Sequence, residues 1–342
     1  MTQRYLERAW YFAGWTEHLA IGEAKEVVLC ERSIAVYRTE SGGVAAIANR
    51  CPHRFAPLHL GRVRGEVLEC GYHGLQFGRE GKCVFNPHTK TAGPNAAAVR
   101  AYPAVERYGA IWIWFSQDQV ADASLIPDLS VLSSMPKTAL NDLPTMKVRG
   151  NYELVVDNLF DPTHAEYLHP GTLGGSGELR NREPSLKVDG RTVEVAWFYE
   201  GVVAIPVFKN FVTDTRTYDT WMSTRWYAPG IVCVAGGVMP SGQPRDAGIW
   251  SLVYHILMPA EENVTTYDAR GTRSFSVDDL KLTAMMDGVF QNAFNNEDKP
   301  MIEAQQRMLG GSDFGALKPA LFPFDKPAVQ VRRALEALRN AV

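Results

Sequence analysis

Short apolar runs separated by turn residues dominate the first third of the chain. Runs rich in β-branched and aromatic residues lie at 27–29, 34–37, 44–47 and 111–115. Short strands at close spacing are typical of a small antiparallel sandwich or barrel-like domain. The pattern therefore predicts an all-β N-terminal domain.

The rest of the chain combines helix-like and strand-like patterns. Helical periodicity covers residues 152–168 and, over a longer amphipathic stretch, residues 278–309. Strand-like segments lie between them, at 192–199, 220–226, 231–234 and 250–258. Strands followed by a long helix predict an α+β domain in which an antiparallel sheet packs against helices.

A polar segment that contains Gln117, Asp118, Pro127 and Pro136 separates the two patterns. A chain of 342 residues is long enough for two domains, each with its own core. We therefore predict an N-terminal domain over residues 1–118 and a C-terminal domain over residues 119–342.

Composition and charge exclude several classes of function. A hydrophobic content of 46% and a charged content of 21% are typical of a soluble globular protein. The net charge of −3 argues against nucleic-acid binding, which normally requires a basic surface. No apolar stretch approaches the roughly 20 residues of a membrane span, and the charged N-terminus does not resemble a signal peptide. We expect a cytoplasmic protein with neither nucleic-acid nor membrane partners.

Two of the five cysteines belong to a repeated Cys/His pattern. Cys51 and His53 lie in one predicted loop, and Cys70 and His73 lie in a second. Structural zinc sites usually pair Cys with Cys and His with His. A Rieske [2Fe–2S] cluster instead takes two thiolates on one iron and two imidazoles on the other. The mixed pairs therefore predict a Rieske cluster.

A second set of candidate ligands precedes Pro170. His164 and His169 are five residues apart, so on a straight helix their side chains would point about 140° apart. Pro170 disfavours helical geometry at His169, which lets His169 turn toward His164. Two histidines and one carboxylate are the ligands of a non-heme Fe(II) oxygenase site. Considered alone, Asp161 would be a helix N-cap, and His164 a core histidine.

The third iron ligand is expected to be a carboxylate from the C-terminal helix, where Glu297 and Asp298 are adjacent. The apolar stripe of this helix points toward Glu297. Pro300 removes a helical hydrogen bond and makes the register there uncertain. Periodicity alone leaves the choice between the two carboxylates open.

These motifs resemble those of the short Rieske oxygenases, a family that includes vanillate O-demethylase, dicamba O-demethylase and toluenesulfonate methyl-monooxygenase. The resemblance covers nearly the whole chain and is carried by Ala-Trp-Tyr at 9–11, Cys-Pro-His-Arg at 51–54, Cys-Gly-Tyr-His-Gly at 70–74, Asn-x-x-Asp-x-x-His-x4-His at 158–169 and Glu-Asp-Lys-Pro at 297–300. It implies a terminal oxygenase subunit with a [2Fe–2S] cluster and a mononuclear Fe(II). The family ligand is the second acid of the pair, which favours Asp298 together with His164 and His169.

The resemblance also implies roles for the residues that precede the iron histidines. Asn158 and Asp161 would be catalytic residues. The Asp161 carboxylate would orient an iron-ligating histidine of its own subunit and bridge to His73 of a neighbouring subunit, within a head-to-tail homotrimer. A separate reductase, acting directly or through a ferredoxin, would supply electrons from NAD(P)H, because this chain has no dinucleotide fingerprint. The glycine-rich segment 174–177 is expected to be a mobile loop near the active site.

The expected reaction is O2-dependent hydroxylation of a C–H bond of a small substrate. On a methyl bound to oxygen or nitrogen, the product would lose formaldehyde. Many aromatic residues in the C-terminal part make an aromatic substrate reasonable, and His255 is either a pocket donor or a core histidine. The alternatives are ring or methyl hydroxylation, cis-dihydroxylation, a Rieske electron-transfer protein without catalysis, and a structural zinc module.

Overall fold

The computed structural model describes residues 4–116, 120–169, 183–202, 206–209, 211–212, 217–311 and 314–341. The described residues form two compact units. One contains residues 5–128 together with 260–262, and the other contains residues 129–259 together with 263–342. The boundary expected between residues 118 and 119 falls at a stretch outside the described residues and stays a prediction.

The described part of the N-terminal unit consists of small antiparallel sheets. The first has the order β1 (Ala9–Trp15), β11 (Ala110–Phe115), β10 (Ala104–Arg107). The second has the order β2 (Ala24–Leu29), β3 (Arg32–Arg38), β4 (Val44–Ala48), β9 (Ala101–Tyr102). The third has the order β5 (Arg62–Arg64), β6 (Val67–Glu69), β7 (Gln76–Phe77), β8 (Cys83–Phe85). The prediction of an all-β N-terminal domain is confirmed.

The hydrophobic core of this unit contains the two candidate cluster cysteines. Cys51 and Cys70 are each 2% exposed and belong to a core cluster with Leu58, Leu68 and Phe77. Side chains from the second and third sheets build that cluster, so the two loops that carry the cysteines are anchored on a packed apolar base.

The described part of the C-terminal unit contains one seven-stranded sheet. Its strands are β12 (Leu140–Val148), β13 (Ser185–Asp189), β14 (Thr192–Val202), β15 (Tyr218–Tyr227), β16 (Ile231–Pro240), β17 (Ile249–Glu261) and β18 (Val264–Arg273). In the described residues they run in the order β12-β18-β17-β16-β15-β14-β13. The strand-like segments of the sequence lie within β14 to β17, and the α+β prediction is confirmed.

Helices lie before, between and after the strands of this sheet along the chain. They are α1 (Ser130–Ser134), α2 (Tyr152–Phe160), α3 (Ala165–Leu168), α4 (Pro206–Lys209), α5 (Leu280–Asn292), α6 (Lys299–Leu309) and α7 (Lys326–Asn340). Within the described segments, no helix combines the length and the apolar character that crossing a membrane requires.

Both long helices expected from periodicity are interrupted. The first ends at Phe160, continues through a 3-10 turn, Pro162–His164, and resumes as α3. The second contains a π-helical segment, Ala293–Asp298, between α5 and α6. A π-helical turn contains an extra residue, and such turns often occur at functional sites. Each interruption carries residues of the predicted iron site.

Ion pairs fix α2 against α7. The Arg332 guanidinium donates from Nε to both carboxylate oxygens of Asp157, at 3.0 Å each, and from Nη1 to Glu153 at 3.0 Å. Arg339 donates to the other Glu153 oxygen at 2.7 Å. At the N-terminal end of α2, the side chain of Asn151 caps the helix by accepting from the Glu153 amide. The helix that leads into the predicted iron site is therefore held along its length.

Candidate metal centres

The two Cys/His loops of the N-terminal unit have the same backbone geometry. Cys51 donates its amide to Ala56 O at 2.9 Å and accepts from Phe55 N at 2.9 Å. In the second loop, Cys70 donates to Leu75 O at 2.8 Å and accepts from Gly74 N at 3.0 Å. Each loop therefore closes over four to five residues.

The residue four positions after each cysteine has a positive φ, +60° at Phe55 and +70° at Gly74. Glycine accepts this conformation without strain, whereas a bulky residue does not. Gly71 is needed for a different reason, because a Cβ there would lie 3.1 Å from the Leu60 carbonyl oxygen. The glycines of the second loop therefore permit a tight turn that packs closely against the backbone of Leu60.

The loops bring like donor atoms together. The imidazole rings of His53 and His73 are 4.5 Å apart between centroids. Burial raises the pKa of the Cys51 thiol, which is also in hydrogen-bonding contact with Cys70. Burial and the neighbouring His53, His88 and Arg54 lower the pKa of His73.

Two thiols in contact on the buried side and two imidazoles in contact on the outer side fit the two halves of a Rieske [2Fe–2S] cluster. In the described chain, the three remaining cysteines are not part of this arrangement: Cys30 and Cys83 are buried and Cys233 is half-buried.

The second group of ligand atoms converges in the C-terminal unit. One ligand atom from each of His164, His169 and Asp298 lies within 4.8 Å of the others. The Asp298 Oδ1 is 3.2 Å from His169 Nε2 and 3.5 Å from His164 Nε2. Both histidines therefore present Nε2 to the same carboxylate oxygen.

Local backbone geometry explains the convergence. Asp161 has φ −110° and ψ 86°, which ends α2 and redirects the chain before His164. His169 has φ −116° and ψ 47°, which is outside helical geometry, and ends α3. On the third element, Asp298 is the last residue of the π-helical segment.

The electrostatics of Asp298 favour an ionised ligand. Burial by itself would raise the pKa of this carboxyl, but hydrogen bonds from His164, His169 and Asn158 and the charge of His169 together lower it. His169 shows the reverse pattern, because burial opposes the proton while Asp298 and Glu297 raise its pKa. A buried carboxylate beside two imidazoles matches the donor set of a non-heme Fe(II) site.

Asn158 lies beside the same carboxylate. Its Nδ2 donates to Asp298 Oδ1 at 3.0 Å and lies 3.4 Å from His164 Nε2. Its Oδ1 is buried and has no hydrogen-bond partner among the described residues. An orphaned polar atom in this position is consistent with a site built to hold an additional group.

Glu297 contacts the outer side of His169. Its Oε2 is 2.5 Å from His169 Nδ1, whereas Asp298 is on the Nε2 side of the same ring. The two adjacent carboxylates thus occupy different positions around one imidazole, which the helical pattern of the sequence did not predict.

Asp161 holds its surroundings through two different groups. Its Oδ1 accepts from Thr163 N at 2.9 Å and from Thr163 Oγ1 at 2.5 Å, which caps the 3-10 turn. Its backbone carbonyl contacts His164 Nδ1. The structure therefore differs from the expectation that the carboxylate orients the iron histidine, because the main chain makes that contact.

His255 is fully buried on β17 and is hydrogen-bonded. Its Nδ1 is 2.6 Å from the hydroxyl of Tyr267 on β18, and its ring lies 5.1 Å from that of Phe294 in the π-helical segment. Burial lowers the pKa of His255 to about 3, so this imidazole is neutral near pH 7. Tyr267 was missed in the sequence because β18 lacks an apolar pattern. The predicted loop at 174–177 lies outside the described residues.

A domain with this Cys/His pattern, joined to a domain with two histidines and a carboxylate at one point, defines the class of Rieske oxygenases. A family model for the Rieske [2Fe–2S] domain matches residues 9–103, and a model for the vanillate O-demethylase oxygenase C-terminal domain matches residues 148–341. The chain belongs to the Rieske non-heme iron oxygenases of the vanillate O-demethylase type. It is an oxygenase component that uses a [2Fe–2S] cluster and a mononuclear iron.

Relatives support the same assignment over the full length. The chloroacetanilide N-alkylformylase oxygenase component of Rhizorhabdus wittichii is 33% identical, over 97% of this chain and 95% of that protein. The dicamba O-demethylase oxygenase component of Stenotrophomonas maltophilia is 32% identical, over 98% of each. The crystal structure of dicamba monooxygenase with non-heme iron and dicamba aligns with a TM-score of 0.83 at 32% identity, covering 100% of this chain and 98% of that one.

Proposed function

We propose that this oxygenase demethylates a small aromatic substrate at oxygen or nitrogen. The observation that carries the proposal is the convergence of His164, His169 and Asp298 in the same chain as the paired thiols and imidazoles. An N-alkylformylase and an O-demethylase are among its relatives. Their names favour oxidative loss of carbon over simple hydroxylation.

The proposed reaction has a defined balance. A substrate R–X–CH3, with X either oxygen or nitrogen, reacts with O2, two electrons and two protons. A C–H bond of the methyl becomes C–OH, one oxygen atom leaves as water, and cleavage of the X–C bond then releases formaldehyde and R–XH. The electrons come from NAD(P)H through a separate reductase, directly or through a ferredoxin. When bound, the mononuclear iron supplies O2 activation and the cluster supplies electrons one at a time.

The residues of this chain bind and orient these groups. Cys51, Cys70, His53 and His73 would hold the cluster, and His164, His169 and Asp298 would hold Fe(II). The hydrogen bond from Asn158 keeps the Asp298 carboxylate in one orientation. With three protein ligands, the iron would keep coordination positions open for O2.

The His255–Tyr267 pair is the proposed polar contact for the substrate. Either ring nitrogen of a neutral imidazole can donate or accept, depending on the tautomer. Since Tyr267 engages Nδ1, Nε2 takes the complementary role toward a ligand. Phe294 adds an aromatic surface beside the same imidazole, which suits an aromatic substrate.

Electron transfer between subunits completes the proposal. His53 is exposed and His73 is half-exposed, so the imidazole side of the cluster is accessible to a second chain. The Thr163 contacts use Oδ1 of Asp161, and no described residue bonds to Oδ2. We infer a hydrogen bond from His73 of one subunit to the Asp161 carboxylate of the next, within a head-to-tail ring that closes at three. The trimer is expected to work in the cytoplasm.

A substrate screen tests the proposed reaction. The purified oxygenase would be supplied with NADH and a surrogate ferredoxin–reductase pair, then offered methoxy and N-methyl aromatic compounds while O2 uptake and formaldehyde are measured. We expect one formaldehyde for each O2 consumed on at least one compound. A product that gains oxygen without losing carbon would replace demethylation with hydroxylation or dihydroxylation. A red-brown protein without mononuclear iron would indicate an electron-transfer protein, and a colourless zinc protein a structural module.

A further inference from the structure

Adjacent carboxylates in the π-helical segment reach opposite sides of one imidazole. Successive side chains on a regular α-helix point about 100° apart. Here Glu297 lies 2.5 Å from His169 Nδ1, while Asp298 Oδ1 lies 3.2 Å from His169 Nε2. The ring is therefore held between the two acids, and only Nε2 faces the point where the candidate ligand atoms converge.

Glu297 is itself held in place by Asn292, the last residue of α5. Asn292 donates from Nδ2 to Glu297 Oε1 at 3.1 Å, and Asn296 donates to Asn292 Oδ1 at 2.8 Å. The Glu297 side chain is 21% exposed, compared with 3% for Asp298. One carboxylate oxygen is thus used for anchoring and the other for the histidine.

The two histidines of the site are backed by different groups. His164 Nδ1 contacts the backbone carbonyl of Asp161, which is a neutral acceptor. His169 Nδ1 contacts a carboxylate, which is a stronger acceptor when ionised. Both contacts require a proton on Nδ1 and leave Nε2 for a metal, but only the contact at His169 adds negative charge.

We propose that Glu297 is a positioning residue that acts through His169 by accepting a hydrogen bond from Nδ1–H. This hydrogen bond fixes the tautomer and the orientation of the imidazole ring. It also makes Nε2 a stronger ligand for iron. Carboxylates behind metal-bound histidines act in this way in other sites, and their loss commonly costs about 10–100-fold in metal affinity or activity. The proposal rests on the assignment of His169 and Asp298 as ligands under the proposed function. Asn292 supports this role of Glu297, because it anchors the second oxygen of the Glu297 carboxylate.

The test measures the affinity of the mononuclear site for Fe(II) in the full-length protein with its cluster intact. Fe(II) would be removed selectively and then titrated back in competition with a chelator, for the wild type, Glu297→Gln, Glu297→Ala and Asn292→Ala. Glu297→Ala is expected to raise the Kd by about 10–100-fold. Glu297→Gln should raise it less, because an amide oxygen still accepts the hydrogen bond. Asn292→Ala should have the smallest effect of the three. Glu336→Gln, at an exposed position on α7, removes a carboxylate of the same kind away from the site and should leave the Kd unchanged.

A spectroscopic readout separates positioning from direct ligation. The EPR spectrum of the nitric oxide adduct at the Fe(II) site reports the symmetry of the ligands, and Glu297→Ala should shift this spectrum while still binding one Fe(II). A wild-type Kd and spectrum in Glu297→Ala would overturn the proposal. Complete loss of Fe(II) in Glu297→Ala, with retention in Asp298→Ala, would make Glu297 the ligand and also overturn it. If the wild type itself bound no mononuclear Fe(II), the proposed function would fail first, and the cluster absorption of each variant shows whether it has folded.

Discussion

Replacing Asp161 by asparagine separates two roles of this residue. As a cap, Asp161 accepts from the Thr163 amide and hydroxyl at 2.9 Å and 2.5 Å. Asparagine caps about as well as aspartate, so we expect the free energy of unfolding to change by less than about 0.5 kcal/mol. The contact to His164 comes from the Asp161 backbone carbonyl, which the substitution retains. Iron binding should therefore be preserved.

In the proposed bridge between subunits, Asp161 needs its charge. Loss of a carboxylate that hydrogen-bonds a metal-ligating histidine, here His73 of the next subunit, commonly lowers activity by about 10–100-fold. This corresponds to about 1.4–2.7 kcal/mol in the activation free energy. We expect Asp161→Asn to be a folded trimer with wild-type cluster and iron content, and with turnover reduced by at least about tenfold.

The assay is single turnover with the cluster reduced in advance. Re-oxidation of the cluster after mixing with O2 and substrate is followed by its visible absorption. Asp122→Asn is a matched control, because Asp122 Oδ1 caps a 3-10 turn in the same way, accepting from Ser124 N at 2.9 Å and Ser124 Oγ at 2.7 Å. Re-oxidation of Asp161→Asn at the wild-type rate would show that Asp161 is only a cap and that electrons cross between subunits elsewhere.

Three further predictions test the metal sites. Protein purified under iron-replete, reducing conditions should be red-brown and contain about three irons per chain, two in the cluster and one mononuclear; zinc in place of iron at either site would contradict this. His164→Ala should lose mononuclear iron and turnover but keep the cluster spectrum, whereas His73→Ala should lose the cluster spectrum. If either change removed both the mononuclear iron and the cluster spectrum, the division into two separate metal sites would be contradicted. Asp298→Asn should abolish turnover and weaken Fe(II) binding more than Glu297→Gln does, because a neutral amide is a poorer ligand for Fe(II) than a carboxylate. The opposite ranking of the two Fe(II) affinities would favour Glu297 as the ligand.

The N-terminal unit was largely predictable from sequence because its chemistry lies in short loops. Each Cys/His pair is local, and the backbone turn that holds it is closed by hydrogen bonds within six residues. The turn chemistry is also local, as Gly74 shows with its φ of +70°. Pairing of the two loops follows because both rest on one apolar core.

The sheet of the C-terminal unit was only partly predictable. Strand β18 buries Thr265, Asp268 and Arg270, and a hydrophobic pattern does not identify buried polar residues. Partners from distant parts of the chain satisfy these groups, as in the 2.5 Å hydrogen bond from Thr145 to Asp268. Tyr267 could not be linked to His255 from sequence, because the strand that carries it was itself not predicted.

The positions of Glu297 and Asp298 show how a local change of helical register limits what a regular pattern can predict. The apolar stripe of α5 extrapolates correctly only if the helix keeps 3.6 residues per turn. The π-helical segment, Ala293–Asp298, changes that register immediately before the two acids. The stripe therefore identified the residue that contacts the outer nitrogen of His169, and the motif identified the residue that contacts the inner one. Both observations are satisfied if the extra residue of the π-helical segment allows the two neighbouring acids to hold the His169 imidazole from both sides. Replacing either acid should then affect iron binding, although only Asp298 would contact the metal.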